Sequence, residues 1–307
     1  MACPVVVVHG GAEPFLAFPL SPERIEQGHS ALQRALLSGY TVLRSSGLAL
    51  DAVTEAVQVL EDEPLFNSAR GASFTQAGTH EMDSSVMDGR DRRAGAVTGV
   101  CGPRHPVLAA RAVMERTRHV MLAGQGANQF CAGLGLEMCE PTWFDTELRK
   151  EELTQALAAN SKADRGTVGA VALDSLGNLA AATSTGGQAA KLPGRVGDSP
   201  IIGAGTWAVN GTCAISCTGH GEYFIRYGAA HEVYGRMKWG NQSLETAANA
   251  VVNETLREAG GEGGLIAVDA SGAVTLPFNC AGMFRGYIQG EETHTAIWED
   301  WRITPLP

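Results

Sequence analysis

The feature that most constrains the fold and chemistry of this chain is a glycine followed by a threonine at the start of an apolar segment. Residues 166–174 read GTVGAVALD, and the small and β-branched residues after Thr167 predict a short buried strand. Glycine has no side chain to hinder attack on its own carbonyl, and it tolerates a strained backbone. Gly166-Thr167 therefore predicts a peptide bond that the hydroxyl of Thr167 can attack.

That attack would place a nucleophile and a base on one residue. Thr167 Oγ1 adds to the Gly166 carbonyl, the peptide becomes an ester, and water releases Thr167 as a new N-terminus. Its α-amine has a pKa of about 7.7–8.0, so near neutral pH it can accept the proton of the adjacent hydroxyl. The alternative is that Gly166-Thr167 is only the start of a strand, since any Gly-Thr pair before an apolar run has the same appearance.

Charge and cysteine content exclude several classes of partner. The 307 residues carry a formal net charge of −10, which argues against nucleic acid or an anionic membrane as a partner. No apolar run approaches the ~20 residues of a membrane span, and the first residues lack the features of a signal peptide. Seven cysteines without Cys-x-x-Cys spacing favour reduced thiols. We therefore expect a cytoplasmic protein.

The first half of the chain combines strands with amphipathic helices. A continuous apolar run at 5–8 predicts a strand buried on both faces, ending in a turn at His9-Gly10-Gly11. Apolar residues at helical spacing predict a helix from Pro22 to a stop at Gly47. The polar run 160–165 has no apolar face, so it reads as an exposed linker and a chain boundary rather than a domain boundary.

Strands dominate the second half. One helix is expected at about 222–238, another from Ser243 to about 259, and a last hairpin at 265–276. Neither half supplies a complete set of layers. The simplest packing is therefore one α+β domain of four layers, in which two stacked sheets carry helices on their outer faces.

Polar residues gather next to glycines after the strand of Thr167. In TSTGG at 183–187, the hydroxyl of Thr185 would come within reach of the Thr167 amine, although taken alone the stretch fits a capped strand end better. In GRVGDSP at 194–200, Arg195 and Asp198 would hold the carboxylate and the ammonium of an amino acid. The alternative for that pair is a surface ion pair.

A third cluster, TGHGE at 218–222, leaves a strand and enters a helix. Backbone N–H groups at such a junction can stabilise an oxyanion, and a simple helix N-cap is the alternative. His220 resembles a base, but a histidine at a strand end is usually structural, so it is given no catalytic role.

In their order and spacing, these stretches resemble the plant-type L-asparaginase/isoaspartyl peptidase family of N-terminal nucleophile hydrolases. The resemblance covers nearly the whole chain: VVVVHGG at 5–11, MD at 82–83, MDG at 87–89, and the stretches 166–174, 182–187, 194–200 and 218–222. It implies a four-layer αββα sandwich, a single domain 1–307, and cleavage into an α chain (1–166) and a β chain (167–307). It also implies hydrolysis of L-asparagine to L-aspartate and ammonia, and of β-aspartyl dipeptides, by a homodimer of αβ units.

The resemblance also assigns roles to residues. Thr167 would be the nucleophile, released by cleavage after Gly166, and Thr185 would orient its amine. Thr218 and Gly219 would form the oxyanion hole. The substrate-binding residues that it implies are Arg195, Val196, Gly197, Asp198, Thr218, Gly219, His220, Gly221 and Asn67. No cofactor is expected for catalysis, but a structural sodium is, held by the backbone carbonyls of Leu60, Glu61, Glu63, Phe66, Ser68 and Arg70.

Two loops depart from the family pattern. After His-Gly-Gly the family usually has Ala-Gly, whereas this chain has Ala12-Glu13-Pro14, and Pro14 bears on the rate of self-cleavage. In FNSARG at 66–71, Ala69 stands where the family has glycine, and alanine is not expected to adopt the backbone angles that glycine can. These departures leave open a relative that does not cleave itself and acts as a binding protein. A glycosylasparaginase-like hydrolase is the other alternative, although no secretory signal or disulfide pattern supports it.

Overall fold

Two β-sheets form the centre of the molecule. The computed structural model describes residues 3–13, 20–159 and 166–306, so the predicted linker 160–165 and Pro14 lie outside the described residues. The strands are β1 (Val5–Glu13), β2 (Met82–Asp88), β3 (Ala94–Val100), β4 (Met121–Ala123), β5 (Val168–Leu173), β6 (Leu179–Thr185), β7 (Thr206–Val209), β8 (Cys213–Gly219), β9 (Gly263–Asp269), β10 (Val274–Thr275), β11 (Gly282–Gln289), β12 (Glu292–Ala296) and β13 (Trp301–Pro305). They form one sheet in the order β13-β12-β11-β1-β5-β6-β2-β3-β4 and a second in the order β10-β9-β8-β7.

Helices cover the outer faces of both sheets. They are α1 (Pro22–Arg44), α2 (Ala49–Glu61), α3 (Pro106–Arg116), α4 (Gly124–Gly133), α5 (Glu147–Ala159), α6 (Gly221–Tyr227), α7 (Ala229–Lys238), α8 (Leu244–Asn249) and α9 (Arg257–Ala259), with a π-helical stretch at Ala250–Leu256. The start of α1 follows the sequence, because Ser21 accepts the backbone N–H of Arg24 and Pro22 fills the first turn. The described helices are too short or too polar to cross a lipid bilayer.

Three apolar cores divide these elements into four layers. In β1, Val6 and Val8 lie in the core beneath α1 and α2, whereas Val5 and Val7 lie in the core between the sheets, because successive side chains of a strand point to opposite faces. A third core joins Ile215 of the smaller sheet to its outer helices. The predicted αββα sandwich is therefore confirmed.

The predicted turn at His9-Gly10-Gly11 is wrong, because β1 continues to Glu13. Its pairing with β11 shifts register between His9 and Gly11 and then resumes, while its pairing with β5 ends at His9 opposite Gly169. The glycines therefore form a bulge inside a strand, which re-aims the backbone without ending it. The single helix predicted at 222–238 is also wrong, because Gly228 adopts φ +56° and divides it into α6 and α7.

The C-terminal strands are missing from the sequence-based description. The hairpin predicted at 265–276 exists as β9 and β10, but β11, β12 and β13 follow it. Strand β11 pairs directly with β1, and β5 pairs with the other side of β1. The strand that follows Thr167 thus lies in the middle of the larger sheet, held between β1 and β6.

Candidate active site

Thr167 and Thr185 face each other at the end of two paired strands. Val168 pairs with Ser184, which places the preceding Thr167 opposite Thr185. Thr167 Oγ1 donates to Thr185 Oγ1 at 3.1 Å, and Thr185 Oγ1 also accepts the backbone N–H of Gly187 at 2.9 Å. Sequence analysis expected Thr185 near the Thr167 amine. In the uncleaved chain it contacts the Thr167 hydroxyl instead.

The carbonyl of Gly166 is held by the side chain of Asn67. Asn67 Nδ2 donates to Gly166 O at 2.9 Å, and Thr185 Oγ1 donates to the same oxygen at 3.5 Å. The amide of Asn67 is fixed in this orientation, because its Oδ1 accepts Ser73 N–H at 2.8 Å and its Nδ2 also donates to Gly187 O at 2.6 Å. A donor aimed at a carbonyl stabilises the negative charge that develops on the oxygen during attack.

Asn67 was predicted to bind substrate, and the structure places it against the Gly166–Thr167 peptide. It is buried, and its contact to Gly166 lies one covalent bond from the carbon that Thr167 would attack. The sequence offered no signal for this contact, since the two residues are 99 positions apart.

Ala69, two residues after Asn67, adopts the left-handed backbone region with φ +43°. The expectation that alanine would not take up these angles is wrong. A β-carbon in this region costs roughly 1–2 kcal/mol, so the surrounding contacts must hold the loop in place.

Ala69→Gly is expected to stabilise the fold by about 1 kcal/mol, because glycine relieves the strain at the cost of some extra freedom in the unfolded chain. Thermal and urea unfolding of the protein would measure the change. The matched control is Ala72→Gly, since Ala72 is buried at φ −60° and its substitution should destabilise. Equal destabilisation of both variants would contradict the argument from strain.

His9 holds the backbone carbonyl of Thr167, the predicted nucleophile, although the sequence indicated no role for this histidine. Its Nδ1 donates to Thr167 O at 2.8 Å, and its Nε2 accepts the hydroxyl of Ser216 at 2.8 Å. Burial lowers the pKa of His9 to about 3, so the ring is neutral and keeps this donor–acceptor pattern at physiological pH. The bulge in β1 also brings Gly11 against the scissile peptide: a methyl group there would lie 2.5 Å from Gly166 Cα.

Arg195 and Asp198, the pair predicted to hold the two charged groups of an amino acid (the clamp), lie close together at the start of α6. A methyl group at Gly221 would lie 2.8 Å from Asp198 Oδ1 and 3.0 Å from Arg195 Nη2. Burial raises the pKa of Asp198 to about 7, and its Oδ2 has no hydrogen-bond partner among the described residues. A buried carboxylate oxygen of this kind is suited to an incoming ammonium group.

Glu222 is a partner of this clamp that sequence analysis did not assign. Its carboxylate accepts Arg195 Nε at 3.1 Å and Arg195 Nη2 at 3.0 Å. This bidentate pair fixes the plane of the guanidinium. It leaves Nη1, the third nitrogen, on the side of Gly187 and Gly197.

Of the two residues predicted to form the oxyanion hole, Gly219 lines the cavity and Thr218 does not. Gly219, at φ +146°, lines the cavity next to Thr167, whereas Thr218 is fully buried behind it and its Oγ1 accepts Ala12 N–H at 3.2 Å. His220 accepts the backbone N–H of Glu262 through Nδ1, which agrees with a structural role for its ring.

One small polar cavity, partly open to solvent, connects these groups. It is lined by Gly166, Thr167, Thr185, Gly187, Gln188, Arg195, Gly197, Asp198, Ser199 and Gly219. Of the predicted binding residues, Val196, Thr218, His220, Gly221 and Asn67 lie outside this lining. The Gly166–Thr167 peptide itself forms part of the wall.

The loop predicted to hold sodium uses its carbonyls for other bonds. Four of the predicted oxygens accept backbone N–H groups: Leu60 O from Glu63, Glu63 O from Phe66, Phe66 O from Ser68, and Ser68 O from Gly71. The buried guanidinium of Arg149 donates to two neighbouring carbonyls, Leu65 O and Gly71 O. Carbonyl oxygens suit hard cations, and neither Leu65 nor Gly71 is among the six predicted sodium ligands. The sodium stays a prediction, and the proposed chemistry does not involve it.

A four-layer αββα sandwich with a threonine at a buried Gly-Thr bond defines the class of N-terminal nucleophile hydrolases. The family model described as Asparaginase matches residues 2–297, and the chain belongs to this family. It is 49% identical to the isoaspartyl peptidase of Salmonella typhimurium, covering 96% of this chain and 99% of the relative. It is 40% identical to the isoaspartyl peptidase/L-asparaginase of Homo sapiens, covering 99% of both chains. A probable isoaspartyl peptidase/L-asparaginase of Arabidopsis thaliana is 39% identical over 96% of this chain and 98% of its own length.

Proposed function

We propose that this protein hydrolyses L-asparagine and β-aspartyl dipeptides after cleaving itself between Gly166 and Thr167. The observation that carries the proposal is the contact of Thr167 Oγ1 with Thr185 at a cavity also lined by Arg195 and Asp198. Nucleophile, cation and anion thus share one small polar site, which suits a substrate with an α-carboxylate, an α-ammonium and a carbonyl to attack.

Self-cleavage begins with attack of Thr167 Oγ1 on the Gly166 carbonyl carbon. The hydroxyl proton passes through Thr185 to the departing Thr167 nitrogen, while the amide of Asn67 stabilises the oxyanion on Gly166. The C–N bond breaks and an ester remains. Water then hydrolyses the ester, which yields a carboxylate on Gly166 and a free α-amine and hydroxyl on Thr167.

Turnover uses the same hydroxyl with a new base. The Thr167 amine takes the hydroxyl proton as Oγ1 attacks the β-carbonyl of the substrate, and it returns the proton to ammonia or to the leaving amino acid. The hydroxyl of Thr218 already accepts from Ala12 N–H, so its own proton is available to donate towards the site, together with Gly219 N–H. Water hydrolyses the acyl-enzyme and releases aspartate.

The clamp explains why both substrates are accepted. Arg195 Nη1 takes the α-carboxylate and Asp198 Oδ2 takes the α-ammonium, which presents the β-carbonyl to Thr167. The leaving group beyond that carbonyl is not gripped by either residue. Ammonia and an amino acid are therefore both acceptable leaving groups.

The affinity for substrate is expected to fall below pH 7. Burial raises the pKa of Asp198 to about 7, so its carboxylate is charged above that pH and neutral below it, and only the charged form attracts the ammonium. KM for L-asparagine should rise by up to about tenfold for each pH unit below 7. Steady-state rates from pH 5 to 9 test this, with the Thr167 amine appearing separately in kcat. A KM that does not change over this range would contradict the role of Asp198.

Mass spectrometry and two assays test the proposal as a whole. Purified protein, incubated with and without glycine, is expected to yield fragments 1–166 and 167–307. The cleaved material should release ammonia from L-asparagine and leucine from β-Asp-Leu. A persistent single chain near 32 kDa, or activity without a new terminus at Thr167, would refute it.

The remaining parts of the proposal concern assembly and location. We include a homodimer of αβ units, no cofactor in catalysis, and neither nucleic acid nor membrane as partners; these parts rest on the family resemblance and on the net charge of −10. The seven cysteines are unpaired, which supports the cytoplasmic location expected from the sequence. Native mass spectrometry of the cleaved protein would test the assembly.

A further inference from the structure

Helix α5, which precedes the proposed cleavage site, inserts the guanidinium of Arg149 into the loop 65–71. This loop carries Asn67 and is called the Asn67 loop. Arg149, on α5, is only 1% exposed. Its Nε donates to Gly71 O at 2.6 Å and its Nη2 donates to Leu65 O at 2.9 Å. These two carbonyls flank the segment that carries Asn67, so one planar guanidinium fixes both ends of the loop.

A buried anion balances this cation. Glu152, one turn further along α5 and 3% exposed, accepts Arg149 Nη1 at 3.1 and 2.8 Å through its two oxygens. All three nitrogens of the guanidinium are therefore bonded inside the protein. Burying such a pair is expensive unless its hydrogen bonds are complete, which indicates that the pair is retained for the geometry it imposes.

A second arginine makes the connection reciprocal. Arg70, inside the same loop, donates outwards to Trp143 O and to Asp145 O, which belong to the segment just before α5. The region 143–149 therefore donates to the Asn67 loop through Arg149, and the Asn67 loop donates to the same region through Arg70. The strained Ala69 lies between the fixed points.

The contacts between α5 and the Asn67 loop affect the Gly166–Thr167 peptide through Asn67. Asn67 reaches Gly166 O and Gly187 O only while its loop keeps this shape. The Arg195–Asp198 clamp is carried by a different loop, and within the described part of the chain the guanidinium of Arg149 bonds Gly71, Leu65 and Glu152 rather than the clamp. A change at Arg149 should therefore displace the amide that holds the scissile carbonyl and leave the clamp intact.

We propose that Arg149 is a positioning residue for self-cleavage: its guanidinium acts as the internal cation of the Asn67 loop and holds the Asn67 amide against the Gly166 carbonyl. The inference rests on the proposed function. It is separate from the predicted sodium, because Arg149 binds Leu65 O and Gly71 O, which are not among the predicted sodium ligands.

The test is the first-order rate of self-cleavage of freshly purified full-length protein. Arg149→Ala is expected to slow cleavage by at least about tenfold, since a displacement of ~1 Å in a reacting group costs about 10²-fold. Guanidinium chloride, well below its denaturing concentration, should restore part of the rate by filling the vacated space. Sodium chloride at the same ionic strength should not. Lys150→Ala is the matched control, because Lys150 is the next cation on α5 but bonds Glu147 at the surface.

A second variant separates positioning from folding. Arg149→Met combined with Glu152→Leu removes both charges together, a replacement that often preserves stability. We expect it to fold, as judged by circular dichroism, and still to cleave slowly. Cleavage within threefold of the wild-type rate in a folded variant, or equal rescue by sodium, would overturn the inference. Loss of fold in both variants would also overturn it, because the ion pair would then be structural alone.

The outcome is distinguishable from failure of the proposed function. If the wild-type chain does not cleave at Thr167, the proposed function fails first. If wild-type protein and Lys150→Ala cleave and the folded Arg149 variants cleave equally fast, only the role of Arg149 is refuted. Once cleaved, the slow variants should keep the wild-type KM, because the clamp is unchanged.

Discussion

Thr167→Ala is expected to remain a single chain and to be inactive. The substitution removes the only oxygen that the proposal allows to attack Gly166, and later the substrate; it also removes the γ-methyl group of Thr167 but keeps the backbone of the strand. Loss of a catalytic nucleophile lowers kcat by about 10⁶-fold. Intact mass after prolonged incubation and ammonia release from L-asparagine measure the two effects together.

Two controls define what this result means. Thr167→Ser keeps the hydroxyl but loses the β-branch that restricts χ1, so it should still cleave, more slowly. Thr154→Ala removes a hydroxyl that bonds Lys150 O on the surface of α5 and should behave as wild type. Normal turnover by Thr167→Ala would eliminate the assigned nucleophile.

Asn67→Asp is expected to slow self-cleavage by about 10²–10³-fold, the range measured when one oxyanion donor is removed. The replacement keeps the size and keeps an acceptor for Ser73 N–H. It removes the donor to Gly166 O and places a carboxylate oxygen beside that carbonyl. The rate constant comes from the decay of the uncleaved band on a denaturing gel.

The control for this substitution is Asn249→Asp. Asn249 bonds Glu245 O on α8, far along the chain from the scissile peptide, so the same change in side-chain chemistry should leave cleavage unaffected. If Asn67→Asp cleaved at the wild-type rate, the contact between Asn67 and Gly166 would have no part in the reaction.

Local patterns in the sequence predicted most of the layers correctly. The apolar runs at β1 and β5 identify strands buried on both faces, because an alternating pattern is absent wherever both faces are covered. The same logic failed for β11, which was not recognised as a strand although it pairs with β1. Its residues GMFRGYIQ mix glycine and charge with apolar residues, and Arg285 is buried there against the rings of Phe278 and Trp301.

The candidate site also contains residues that the sequence indicated and residues that it did not. The clusters around Thr185, Arg195 and Gly219 were found because glycines and polar side chains follow predicted strand ends. The roles of His9, Asn67 and Arg149 were not found, since each depends on a partner between 78 and 158 positions away. No local pattern encodes such a pairing.

The sequence by itself determined the layered α+β fold and singled out the Gly166-Thr167 bond and the pair Arg195 and Asp198 as candidates, because these depend on periodicity, residue type and near neighbours. Only the tertiary structure decided which side chains hold that bond. Strand pairing brings Thr185 opposite Thr167, a bulge in β1 brings Gly11 against Gly166, and a buried guanidinium shapes the loop of Asn67. Contacts of this kind arise when distant segments pack and exclude water, which makes each polar group depend on partners that its own segment does not contain.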